Sequence, residues 1–326
     1  MKLSCHLFLL ALLVCPASYS QTWSPDGNRI ALVSQEGATE ALLLLDLTDK
    51  SIFQVTAFEG IQGVPHWSYD GAHLAFISSS EETHDIHVIG ADGTGIRRLV
   101  PSVRGLGVPK WSPVESEIAY VGEASGNHDI FIVGIDGPEP INVTNHEAQD
   151  EVPAWSPDGQ TLAFRSDRNG DMQIYAINRD GTGLRQLTDG EYQSIDPVWS
   201  PDGSRIAYMS IIEENYEIFV MNADGSEAVN LTQSEGQDFE PQWSPDGNNI
   251  AFYSNRNGNW DVFVMDSNGH SLVNVTNYPA QDVWSQWSPD GSTLIFRSDR
   301  EGEPAFYLMD KDGTDVKRIN PHPKKH

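Results

Sequence analysis

Trp199-Ser200-Pro201-Asp202-Gly203-Ser204-Arg205-Ile206-Ala207-Tyr208 decides the fold. Pro presets φ for the first corner of a type I turn and Asp suits the second. Gly takes the left-handed position that closes a bulged hairpin. The apolar residues on either side then read as two strands joined by that turn. The five-residue motif is complete at Trp23, Trp155, Trp199, Trp243 and Trp287. In the second unit Tyr69 replaces Pro, and in the third Val114-Glu115-Ser116 follows Pro113.

Together with Trp67 and Trp111, these tryptophans form one column, each 44 residues after the last. A period of this length is the mark of a repeat architecture. Working outward from the Trp, each unit has an apolar run such as Ile206-Ala207-Tyr208, a polar loop, and a second run such as Ile218-Phe219-Val220-Met221. An Asp-Gly turn follows (Asp92-Gly93, Asp180-Gly181, Asp224-Gly225, Asp312-Gly313), then a short polar strand like Val229-Asn230-Leu231-Thr232. With the strand leading into the Trp, each unit supplies four antiparallel strands. The middle two are apolar without clean alternation, so both faces of each small sheet must be covered. Similar sheets packed side by side in a ring meet that demand. The expected fold is all-β, a seven-bladed β-propeller of four-stranded antiparallel blades over residues 21–326, with each Trp at the joint with the next blade.

Residues 1–20 have the layout of a secretory signal peptide: Lys2, the apolar run Leu7 to Val14, then small residues at Ala17, Ser18 and Ser20. The run is too short to span a bilayer. Cleavage after Ala17 or after Ser20 would put a small residue at the cut, and the needs of the first strand favour Ala17. Both cysteines, Cys5 and Cys15, fall in this leader, so a mature chain would hold no disulfide. The expectation is a periplasmic or secreted monomer.

Lys and Arg number 20 against 47 Asp and Glu, a formal charge of −27. Such a field repels phosphate backbones and anionic membranes, which argues against nucleic acid as a partner. Cations and basic protein surfaces are its natural counterparts.

The full column, Trp-Ser-Pro-Asp-Gly, Ile-Ala-Phe, Ser-Asp-Arg-x-Gly (Ser166 to Gly170, Ser298 to Gly302), Asp-Gly and Leu-Thr, resembles the WD40-like repeat of the TolB propeller family. The resemblance implies a propeller that binds a protein or peptide in the cell envelope, as the Tol-Pal members do. The first repeat starts right after the leader, so their separate N-terminal domain is not expected here. Similar repeats form the gating propeller of prolyl oligopeptidases, but no Gly-x-Ser-x-Gly nucleophile turn occurs. They also form oligogalacturonate lyase. That resemblance implies a metal held by clustered histidines, and no such cluster is identifiable.

Columns that repeat are assigned to the scaffold and columns that vary to function. Arg168, Arg256 and Arg300 share one column and Asp150, Asp238 and Asp282 another, the pattern of inter-blade ion pairs. Gathered instead into a carboxylate ring, the three aspartates would suit calcium. The residue seventeen after the Trp varies: Glu40, His84, His128, Met172, Tyr216, Trp260 and Pro304. Propeller topology puts these side chains around one mouth. Trp260 and Trp284 are the two tryptophans outside the repeating column, and Tyr216 and Phe239 lie close to them in the pattern. Trp260, Trp284, Tyr216, Phe239, His128 and His84 are therefore the candidate partner-binding residues. His84 and His87 should point to opposite faces of a strand and share no metal. Three sequons, at Asn142, Asn230 and Asn274, occupy one column that the repeat explains without glycans. The function expected is a non-catalytic exported binding module for a protein or peptide. The alternative is a metal-dependent polysaccharide lyase or hydrolase working in the channel.

Overall fold

In the computed structural model, the Pro-Asp-Gly corner forms as its chemistry demands. The Gly27 N–H donates to the Ser24 carbonyl, with Gly27 at φ 73°. The Ser24 hydroxyl donates to Asp26 and also accepts the Arg29 N–H at 2.9 Å. The same Ser-to-Asp bond recurs at Ser68, Ser156, Ser200, Ser244 and Ser288. It holds each of these aspartates below the ordinary carboxylate range.

The structure describes residues 19–36, 39–58, 60–79, 84–103, 108–137 and 139–319. Most of the expected leader, with Cys5, Cys15 and Ala17, lies outside them. Among the described residues no helix is long and apolar enough to cross a membrane.

The strands form seven four-stranded antiparallel sheets, each drawn from consecutive strands. The fold is a seven-bladed β-propeller. The blades cover 19–58, 61–103, 110–142, 150–186, 193–230, 238–274 and 283–318. In the fifth the strands are Gln193–Trp199, Arg205–Ile212, Asn215–Asn222 and Val229–Asn230. The middle strands are buried on both faces, as in His73–Ser79, where five successive residues are buried.

The described residues divide into two compact units, one within 19–103 and the other within 108–319. The first holds two blades. There Trp67 packs on Val33, Leu42, Leu44 and Val55 of the first blade, and its Nε1–H donates to the Thr22 carbonyl at 3.3 Å. The second unit holds five blades and repeats this joint. Trp155, Trp199, Trp243 and Trp287 donate to Lys110, Ala154, Val198 and Gln242 at 3.0–3.2 Å. Each of these Trp residues thus seals the joint with the preceding blade, not the next as the sequence suggested. The acceptor is always the carbonyl before the previous Trp, so the bond sets the spacing of neighbouring innermost strands.

The Asp/Arg columns form a second device, within blades rather than between them. Arg168, Arg256 and Arg300 pair with Asp150, Asp238 and Asp282 of their own blades at 2.7–3.1 Å. Each guanidinium also stacks on a cross-strand aromatic pair, as Arg256 does on Phe252 and Phe263. All three aspartates are fully buried. Burial raises their pKa against the opposing bonds from Ser and Arg.

Candidate functional site

In the second unit the innermost strands of four blades break their register by one residue: between Glu151 and Ala154, Ile195 and Val198, Phe239 and Gln242, and Val283 and Gln286. Each break is a β-bulge. At each bulge one non-glycine residue has left-handed backbone: Val152 (φ 53°), Asp196 (54°), Glu240 (52°) and Trp284 (54°). That conformation costs roughly 1–2 kcal/mol at each residue. The bulge column varies between blades, and it supplies much of a mixed polar and aromatic wall.

The polar part is a chain of hydrogen bonds running across blades. His128 Nδ1 lies 2.7 Å from Glu151 Oε1. Arg165 donates to Glu151 at 2.8 and 3.2 Å and to Asp196 at 3.2 Å. Burial works to raise the Glu151 carboxyl, but Arg165 and His128 outweigh it and hold the group below its usual range. For Asp196 burial wins against Arg165 and Lys110, and its pKa is raised. Glu240 is pushed up to about 7 by burial and by the charge of Asp196; Lys110 and a hydrogen bond from Trp284 oppose this. Burial in turn lowers the Lys110 ammonium, against the pull of Glu240 and Asp196. Blades three, five and six thus bring Lys110, Asp196 and Glu240 into one electrostatic group, although 44 or more residues separate them in the chain. Arg297 lies over the Trp284 ring at 4.9 Å.

The aromatic part adjoins it. Tyr216 packs on Phe239 with ring centroids 4.6 Å apart, Phe239 on Trp260 at 5.6 Å, and Tyr253 against Trp260 edge-on at 5.5 Å. Phe239 and Tyr253 are buried, whereas Tyr216, Trp260 and Trp284 remain half-exposed in the same cluster with Met172. The rule of assembly is simple. The residue seventeen after one Trp meets the residue four before the next, as His128 meets Glu151 and Tyr216 meets Phe239.

The fold therefore draws Tyr216, Phe239, Trp260 and Trp284 into one cluster and puts His128 in the adjoining polar chain. His84 belongs to the two-blade unit, where its Nδ1 lies 2.5 Å from the Ser79 hydroxyl. His87 is buried, bonded to Ser78 at 3.0 Å and stacked on Phe76, so the two histidines have separate partners. Asp150, Asp238 and Asp282 are committed to their arginines, and they do not form a calcium ring. Among the described residues no three His, Cys, Asp or Glu side chains are arranged to hold a metal ion. The donor set that a metal-dependent lyase would need is not found there.

Sequence reasoning missed Lys110, Glu151, Arg165, Tyr253 and Arg297. For three of them the signal lay in the column ten after the Trp, where Arg165, Tyr253 and Arg297 stand in place of Val33, Ile77, Val121 and Met209. The sequon column is structural: Asn142 and Asn274 donate to Asp129 and Asp261 at 2.8 Å, and Thr144, Thr232 and Thr276 each accept a backbone N–H.

The family model described as the TolB beta propeller domain matches residues 15–105, 94–192 and 177–325. A search of curated protein sequences finds no match. Among solved structures, TolB from Acinetobacter baumannii is 16% identical with a TM-score of 0.58, over 98% of this chain and 82% of that one. Oligogalacturonate lyase from Vibrio parahaemolyticus is 16% identical with a TM-score of 0.73, over 90% and 89%. The β-propeller domain of the trilobed protease from Pyrococcus furiosus is 12% identical with a TM-score of 0.67, over 90% and 93%. Identities this low establish a common fold. The family match, which spans nearly the whole chain, carries the assignment: the chain belongs to the TolB β-propeller family.

Proposed function

We propose that this protein is a binding module whose five-blade unit presents the aromatic wall at Tyr216, Trp260 and Trp284 to a protein or peptide. One observation carries the reading. Side chains from columns that differ between blades converge into a half-exposed aromatic cluster, whereas the columns that build the blades repeat. Half-exposed aromatics packed on buried ones offer a large, rigid contact area at low entropic cost, the usual composition of an interaction hot spot. The polar chain beside them, His128–Glu151–Arg165–Asp196, would fix the orientation of what docks. No nucleophile paired with a base is found among the wall residues.

Residues 1–20 acting as an export leader would put the module in the periplasm or outside the cell. Cleavage after Ala17 would leave the first strand, Tyr19–Trp23, whole; cleavage after Ser20 would remove its pairing of Tyr19 with Ser34 and Ser20 with Val33. The test of function is affinity capture from an envelope extract with the native protein and with a Trp260→Ala/Trp284→Ala variant, each captured protein being re-bound in pure form. Loss of a specific partner by the variant is expected. Identical capture by both would refute the reading.

A further inference from the structure

The wall holds Lys110, Arg165 and Arg297 only half-buried, and the fully exposed charge at its end of the five-blade unit is one-sided. In each blade the hairpin between the second and third strands and the connector entering the blade lie at the same end. They are stitched together: Gln149 N–H donates to Asp167 at 2.8 Å, Asn127 to the Ala148 carbonyl at 3.1 Å, and Asn215 to the Ser234 carbonyl at 2.6 Å. These segments expose Glu147, Asp171, Glu191, Glu214, Glu235 and Glu303. Among the described residues no ion pair involves any of the six. The arginines of the same hairpins, Arg168, Arg256 and Arg300, turn inward onto buried aspartates and stack on aromatic rings. Their charge is spent on the fold.

Two of the exposed carboxylates flank the aromatic cluster. Glu214 stands two residues before Tyr216, and its carbonyl accepts from Gln237 at 3.3 Å. Glu235 lies on the connector between Ser234 and Gln237, which the Asn215 and Gln237 bonds tie to that hairpin. The half-exposed rings of Tyr216 and Trp260 thus share their end of the unit with exposed carboxylates that form no ion pair among the described residues. A π face next to a carboxylate is the environment that lysine and arginine side chains prefer. The protein already uses that contact itself, with Arg297 over Trp284 at 4.9 Å and Arg300 over Tyr278 at 4.8 Å.

We propose that the partner of this end is a basic polypeptide segment, whose lysine or arginine side chains seat on Tyr216 and Trp260 after steering by the acidic rim. This rests on the binding-module reading and adds the chemistry of the partner. Charge complementarity supports it over an acidic or neutral segment. A segment bearing like charge would have to approach a chain of net charge −27 through a ring of exposed carboxylates.

The probe is a peptide of alternating lysine and glycine, about twelve residues long, titrated against the full chain at about 20 mM and about 150 mM salt. A glutamate–glycine peptide of equal length is the control. Expected are saturable binding of the lysine peptide alone and an affinity that drops several-fold at the higher salt. Tyr216→Leu/Trp260→Leu keeps apolar bulk in the cluster and the net charge of the chain while removing two π faces. It should bind roughly tenfold more weakly, and Trp260→Phe should stay close to native. Matching circular dichroism spectra and unfolding midpoints establish that the variants fold. Equal affinity for the native and Leu variants would mean diffuse attraction to an acidic protein and would overturn the inference, as would binding of the glutamate peptide. A captured envelope partner whose contact segment is acidic or neutral would overturn it too, yet leave the binding-module reading standing. That reading fails separately, if capture ignores Trp260 and Trp284.

Discussion

Replacing Glu240 by Gln should stabilise the protein above neutral pH and leave it unchanged in acid. Burial beside Asp196 moves the Glu240 carboxyl from 4.5 to about 7 in the folded chain. The unfolded chain ionises near 4.5, so between that pH and about 7 the folded state holds a proton that the unfolded state has lost. Stability must then fall as pH rises through this window, and the loss is complete above it. At 1.36 kcal/mol for each unit, the shift corresponds to about 3 kcal/mol at alkaline pH. Gln cannot ionise, but its amide oxygen can still accept the Trp284 hydrogen bond. Urea unfolding followed by circular dichroism at about pH 4, 6 and 8.5 measures the effect as the difference between variant and native protein. That difference should be near zero at the lowest pH and reach about 3 kcal/mol in favour of Glu240→Gln at the highest. Asp150, Asp238, Asp282 and Glu217 also have raised pKa values and slope the same way, but they are common to both proteins. A variant that tracks the native protein at every pH, or is weaker at pH 8.5, would refute the claim that Glu240 is held as an acid in its half-buried site.

The blade joints and the buried pairs yield further expectations. Trp243→Ala should cost about 3–5 kcal/mol in urea unfolding. Trp243→Phe, which mainly loses the 3.2 Å bond to the Val198 carbonyl, should cost clearly less. Arg256→Met leaves Asp238 buried without its counter-ion and should cost about 3–5 kcal/mol at neutral pH, with part of the loss recovered in Arg256→Met/Asp238→Asn. Gly225 has φ 90°, and a Cβ there would stand 2.6 Å from the Leu187 carbonyl oxygen. Gly225→Ala should therefore lower the unfolding midpoint by the equivalent of at least about 2 kcal/mol. An unchanged midpoint in any of these variants would remove the corresponding contact from the account.

The turns, the strands and the number of blades were legible in the chain because each depends on residues close together in sequence. Pro201-Asp202-Gly203 makes its corner from its own dihedral preferences, and the 44-residue spacing of the tryptophans counts the blades without reference to any contact. The same self-comparison marked Tyr216, Phe239, Trp260 and Trp284 as departures from the repeat. It could not say that Tyr216 would pack on Phe239, or that Asp150 would turn to Arg168 in its own blade rather than across a joint. Those outcomes depend on which ends of the strands meet. Lys110, Asp196 and Glu240 make the limit plainest. Each is an ordinary charged residue in its own stretch of chain, and only the placing of innermost strands from blades three, five and six within one unit brings them together half-buried. Burial and charge then shift their pKa values. Electrostatic energy depends on distance in space and on exclusion of water, and neither is written in sequence separation.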